Sequence, residues 1–131
     1  MAIGKHGEET FPHECCGLLL GRAEDDARMV VELRPLANAN NERPRDRFLI
    51  TPEDFMEGDK YARMRGLDIV GFYHSHPDSP ARPSQFDLEH AWPWYSYIIV
   101  SVRAGMAQEM YSWRQRDDRS TFDEEKLIVQ E

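Results

Sequence analysis

The stretch Gly71-Phe-Tyr-His74-Ser75-His76-Pro77-Asp-Ser-Pro-Ala-Arg-Pro-Ser84-Gln-Phe-Asp87 decides how the rest of the chain is read. It follows the apolar run Leu67, Ile69 and Val70, so His74-Ser75-His76 is expected to close a buried strand. Side chains alternate along a strand, which sends His74 and His76 to one face, about 7 Å apart along the backbone. Two imidazoles on one face suit a borderline-soft cation such as Zn²⁺. Pro77 cannot donate to a sheet ladder and marks the turn. Ser84-x-x-Asp87 then reads as the first turn of a helix, placing a carboxylate where it can supply a third ligand. A His-x-His pair is by itself most often two ordinary strand residues, and Ser-x-x-Asp a simple helix cap. Their conjunction across one short loop points to a metal site with an open fourth position, as in catalytic zinc centres.

A base is also needed, and Glu14 is the candidate, because it stands at the mouth of the apolar strand Cys15 to Leu20. Partial desolvation there raises a carboxyl toward the useful range. A solvated surface acid is the competing reading, since the chain holds 24 acidic residues.

The chain is 131 residues long, with 40% hydrophobic and 11% aromatic residues, which suits one domain with a real core. Its net charge of −8, with no Lys/Arg stripe, argues against nucleic acid and against an anionic membrane as partners. The run Tyr97 to Val102 is too short to span a bilayer. No secretory leader is apparent, and two adjacent Cys fit a reducing cytoplasm, so a cytoplasmic location is expected.

Along the chain, Met1 to Thr10 reads as the last turns of a helix or a loose end. Cys15 to Leu20 and Met29 to Leu33 read as a hairpin around a charged turn at 22–27. Pro35 to Arg47 reads as an exposed loop, and Phe48 to Ile50 as a short strand. Thr51-Pro52-Glu53-Asp54 opens a helix that Gly66 stops, with Phe55, Met56, Tyr61 and Met64 as its core stripe. After the helix from Ser84 to about Ala91, Tyr95 to Arg103 and Met106 to Arg114 form a second hairpin, and Glu125 to Gln130 a closing strand. This pattern is α/β: a single-domain mixed sheet flanked by two helices.

Glu14, then His74-Ser75-His76-Pro77, then Ser84-x-x-Asp87 resembles the signature of the JAMM (MPN+) zinc metalloprotease family. The surroundings, Phe11-Pro-His-Glu14-Cys-Cys-Gly-Leu-Leu-Leu-Gly21 and Gly71-Phe-Tyr-His74-Ser-His76-Pro77, are similar to its small prokaryotic branch. The resemblance runs from about Phe11 to the C-terminus. It implies a cytidine-deaminase-like α/β fold and zinc-dependent hydrolysis of peptide or isopeptide bonds at the C-terminus of ubiquitin-like proteins, in bacterial relatives the sulfur carriers. It implies His74, His76 and Asp87 as zinc ligands, Glu14 as the group that holds water and passes its proton to the leaving nitrogen, and Ser84 as a donor to the oxyanion. Ser84 as a plain cap competes with that role. The family usually has a strand and a longer helix before the Pro-x-Glu segment, where only Ile3 to Thr10 stands here. A sulfur carrier's tail could add to a sheet edge, with the loop from Asn38 to Arg47 and its Arg43, Arg45 and Arg47 lining the groove.

Two rival functions are separable. A non-catalytic MPN-like scaffold typically lacks metal residues, and this chain has the full set. A zinc deaminase needs Cys-x-x-Cys, which is absent. Cys15 and Cys16 read as small buried hydrophobes rather than nucleophiles paired with His13. His6, His13 and His90 are expected on the surface. Trp92 and Trp94 are expected to pack on the sheet, with the floor of a groove as the alternative.

Overall fold

The computed structural model describes residues 2–130. Its elements are α1 (Ala2–Thr10), β1 (Cys16–Glu24), β2 (Ala27–Leu36), α2 (Pro52–Met64), β3 (Asp68–Pro77), α3 (Gln85–His90), β4 (Ser96–Arg103), β5 (Met106–Gln115) and β6 (Phe122–Glu125). They build one six-stranded mixed sheet in the order β2-β1-β3-β4-β5-β6. Only the β3–β4 pair is parallel, with α3 in its connection; the other neighbours are antiparallel. The histidine strand therefore lies inside the sheet, between β1 and β4.

Two apolar layers cover the two faces. Ile3 of α1 packs on Leu19, Tyr73, Ile98, Val100 and Val102. On the other face Leu18, Leu20, Ile69, Phe72 and Tyr97 meet Ala62 of α2. The parity of β3 is set by a bulge. Leu19 opposes Gly71 while Leu20 opposes Ile69, leaving Val70 as the extra residue. Val70 thus turns toward α1, although Phe72 two residues later faces α2. A bulge re-aims the side chains beyond it. Here it leaves Tyr73 and Ser75 beneath α1 and sends Phe72, His74 and His76 to the α2 side.

Local chemistry fixes α2. Thr51 Oγ1 accepts the Asp54 N–H at 3.1 Å, and Pro52 occupies the first turn. At the other end Gly66 adopts φ +70°, and Leu67 N–H donates to Ala62 O at 2.8 Å while Gly66 N–H donates to Arg63 O at 3.0 Å. That pair of bonds is a Schellman stop, which glycine allows without a Cβ penalty. Leu67 is thereby folded back into the core.

Several expectations are corrected. Phe48, Leu49 and Ile50 form no strand; they line a cavity instead. Met56 and Met64 are 68% and 78% exposed, because α2 buries its Gly58 and Ala62 face against β1 and β3. The charged segment at 22–24 continues β1, so the turn is confined to Asp25 and Asp26. The closing strand is Phe122–Glu125, set where Phe122 meets the Tyr97 ring, rather than residues 125–130. Ala2–Thr10 is a helix, giving three helices among the described residues.

A Cβ on Gly71 would lie 2.1 Å from Ser96 O, so β3 and β4 approach there only without a side chain. Gly71→Ala is expected to cost about 1–3 kcal/mol, the usual range for overpacking. Urea unfolding measures it, and a loss under about 0.5 kcal/mol would contradict this packing.

Candidate metal centre

The site is assembled by three segments. β3 brings His74 and His76, which are 1% and 6% exposed. The helix start after Pro83 brings Ser84 and Asp87. The entry to β1 brings Glu14, whose N–H donates to Pro44 O at 2.7 Å and whose O accepts from Asn38 Nδ2 at 3.3 Å. Asn38 also donates to Arg47 O and accepts from the Asn40 and Leu49 amides. The 38–49 loop is thus tied across Glu14, and that cover buries it.

The geometry is tight. Nε2 of His74, Nε2 of His76 and Oδ2 of Asp87 form a triangle with edges of 3.1, 3.2 and 3.1 Å. His76 Nδ1 lies 2.9 Å from Pro80 O, which can only accept, so the ring proton belongs on Nδ1 and the Nε2 lone pair faces the triangle. Burial lowers the pKa of His74, against the pull of Asp87, and so favours the neutral, ligating ring. Burial pushes the Asp87 carboxyl up, but His74 and His76 beside it outweigh that and hold it below the usual carboxylate range.

Ser84 and Asp87 form a reciprocal cap. Asp87 N–H donates to Ser84 Oγ at 3.0 Å, and Ser84 N–H donates to Asp87 Oδ2 at 2.9 Å. The cap orients the carboxylate and leaves the Ser84 hydroxyl proton uncommitted. Glu14 has a carboxylate oxygen within 4.8 Å of ligating atoms of His74 and His76. The residue is 3% exposed, and its Oε1 has no hydrogen-bond partner. Burial first, then the Asp87 and Asp46 charges, push its pKa up to about 10.

These donors fit a metal ion. Tetrahedral ligands about 2.0–2.1 Å from zinc lie roughly 3.3 Å from one another, close to the edges of the triangle. A lone pair and a buried carboxylate turned toward one point suit a cation between them. His74, His76 and Asp87 are the donors that can hold it. Glu14 stands alongside, within the looser distance, rather than in the close triangle.

The remaining candidates fall elsewhere. Ser75 Oγ accepts the Cys15 N–H at 2.8 Å, a structural role on the α1 side. Cys15 and Cys16 are free and buried, and burial pushes their thiols up to about 11 and about 12, far from nucleophile behaviour. His6, expected on the surface, is half-buried against the Tyr73 hydroxyl at 2.8 Å. His13 is exposed. His90 is also exposed; its ring stacks on Phe86 with centroids 4.0 Å apart, at the rim of the cavity beside the site. Arg43 pairs with Asp46, and Arg47 lies 4.5 Å over the Phe86 ring. Trp92 and Trp94 do not pack on the sheet: they are 59% and 45% exposed, with Arg119 over the first ring and Arg28 over the second.

The groove that the sequence offers as the alternative place for Trp92 is present, with walls the sequence does not indicate. A cavity of about 690 Å³ opens beside His74 and Asp87, walled by Phe48, Phe55, Phe72, Phe86, Trp92 and Tyr95. The signal available for it was the Trp92-Pro93-Trp94 run, with rings on both sides of a proline that cannot continue a helix or strand.

Comparisons with known proteins identify the chain's relatives. Residues 1–116, which include every residue of the site, match the family of prokaryotic homologues of the JAB domain. A desampylase of Haloferax volcanii is 43% identical over 91 residues, covering 69% of this chain and 63% of the relative. A probable TtuB-protein conjugate cleaving protease of Thermus thermophilus is 34% identical over 101 residues, covering 75% of this chain and 64% of the relative. The chain thus spans just under two thirds of the length of each of these two relatives. A protein of Desulfitobacterium hafniense solved in solution superposes with a TM-score of 0.86 at 33% identity, covering 99% of this chain and 87% of that one. No helix among the described residues is long and apolar enough to cross a membrane. The sheet order, the triangle on β3 and α3, and the match over 1–116 lead to one assignment: the chain belongs to the prokaryotic JAB-domain branch of the JAMM/MPN family.

Proposed function

We propose that this chain is a zinc-dependent hydrolase of peptide or isopeptide bonds at the C-terminus of ubiquitin-like proteins, sulfur carriers among them. The convergence of His74, His76 and Asp87 beside the unpaired, buried carboxyl of Glu14 carries the reading. The names of the Haloferax and Thermus relatives support the substrate class. In this reading the whole chain acts as one domain.

Zinc held by the three donors supplies Lewis acidity toward the substrate carbonyl and toward water. Glu14 takes one proton from water as the oxygen adds to the carbonyl carbon. It then gives that proton to the nitrogen as the C–N bond breaks, leaving a carboxylic acid and an amine. A cation held by the three donors would lower its raised pKa, toward the range in which a group both accepts and donates. Ser84 turns its hydroxyl to the oxyanion, while its oxygen continues to cap the helix. His76 keeps its ring fixed through Pro80 O.

The test is a zinc-loaded sample mixed with a ubiquitin-like carrier extended beyond its Gly-Gly end, or joined through it to a lysine. Mass spectrometry is expected to show release of the extension, stopped by a chelator and restored by zinc. Intact conjugate after prolonged incubation with loaded protein would contradict the proposal.

A further inference from the structure

We infer that the cavity beside His74 and Asp87 is an acyl-side subsite. It selects substrate tails with a bulky apolar side chain, aromatic above all, within the few residues before the scissile bond. This rests on the hydrolase reading, because Glu14 gives the site a direction. Glu14 protonates the leaving nitrogen, so the amine lies on its side. The cleft on that side is polar, lined by His13, Arg43, Pro44, Asp46, Pro77 and Asp78. The acyl portion then extends the other way, past His74 and Asp87, into the aromatic cavity.

The chemistry of the walls names the occupant. Among the described residues the lining has no Lys, Arg or Glu, and its one acid, Asp87, is committed to His74, His76 and Ser84. A charged tail side chain seated among these rings would lose its water, and the lining itself sets no Lys, Arg or Glu against it. The cavity of about 690 Å³ is of the size that buries a drug-sized group, far more than a glycine tail fills. Phe72 stands at its floor, stacked with Phe55 at 6.1 Å and Tyr97 at 5.4 Å and met edge-on by Tyr95 at 5.2 Å. A further ring can extend this cluster. Trp92 and Met56, mostly exposed, form the lip.

Two readouts test it. Tails of the form X-Gly-Gly, with X as Phe, Leu, Ala or Glu at each of the last few upstream positions, are joined to a fluorogenic amine. At one upstream position the zinc-loaded protein is expected to give kcat/KM at least roughly tenfold higher for Phe than for Ala, with Glu lowest. Trp92→Ala and Met56→Glu, whose exposed sites spare the fold, are expected to shrink that ratio through KM. Independently, the free X-Gly-Gly acids are titrated against metal-free protein by tryptophan fluorescence, where the Phe acid is expected to bind at least roughly tenfold tighter than the Ala acid. Equal binding of the two acids overturns the subsite whatever the hydrolysis shows. So does a fluorescence change that follows protein concentration alone, which assigns the cavity to a second copy of the chain. Turnover of all tails at one rate overturns the subsite and leaves the hydrolase reading standing. No turnover of any tail, together with tight binding of the Phe acid, overturns the hydrolase reading and leaves the cavity as an apolar peptide site.

Discussion

His76→Ala is expected to abolish metal binding, and with it the proposed hydrolysis. The wild-type protein is expected to carry close to one zinc per chain after loading and desalting, and the variant essentially none. The Nε2 atom of His76 lies 3.1 Å from both other donors, so removing it opens one side of the triangle. Losing an outer-shell partner already costs a metal site roughly 10–100-fold in affinity, and losing a ligand costs more. The same change deletes the bond to Pro80 O, which tethers the loop leading to Ser84, so some stability is lost as well. Asp87→Asn separates the two effects. It keeps the shape and an oxygen for the Ser84 amide while removing the charge, so zinc is weakened and the helix cap survives. Full zinc retention in His76→Ala, measured by elemental analysis, would falsify the ligand assignment.

Glu14→Gln is the second large effect, with the opposite signature. Turnover is expected to fall by roughly 10²–10⁴-fold, the usual contribution of a positioned general acid/base. Zinc content and fold are expected to stay. Burial holds the Glu14 carboxyl protonated at neutral pH in the metal-free protein, its pKa pushed up to about 10. Gln therefore replaces one neutral group by another of nearly the same shape, and the buried layer under the 38–49 loop is undisturbed. Zinc stoichiometry, thermal unfolding and kcat are the three measurements. A kcat within a factor of two of wild type, with zinc bound, removes the base role.

The parts of this site that follow strict local rules were legible in the sequence. The parity of a strand puts His74 and His76 on one face, and Ser84-x-x-Asp87 is a capping box whose two reciprocal bonds are both present. The ends of α2 follow from Thr51-Pro52 and Gly66 in the same way. What was not legible depends on distant partners. The burial of Glu14 comes from a loop anchored by Asn38, which local reading treats as exposed polar chain. Phe48, Leu49 and Ile50 look like a strand because apolar triplets often are one, yet here they wall a cavity. Met56 and Met64 look like core until the small face of Gly58 and Ala62 proves to be the one against the sheet. A Cβ on Gly58 would meet Leu18 Cδ1 at 2.2 Å, so that close approach leaves the longer side chains outside. The bulge at Val70 leaves no mark in the sequence, although it decides which face Ile69 and Val70 take.

In the proposed centre two imidazoles and one carboxylate share a single ion, with the thiols of Cys15 and Cys16 left out of it. Zinc-edge X-ray absorption on the loaded protein reads this directly. The predicted spectrum shows two imidazole rings and only light atoms, nitrogen and oxygen, at about 2.0–2.1 Å. A sulfur shell near 2.3 Å, or scattering without imidazole, would contradict the account.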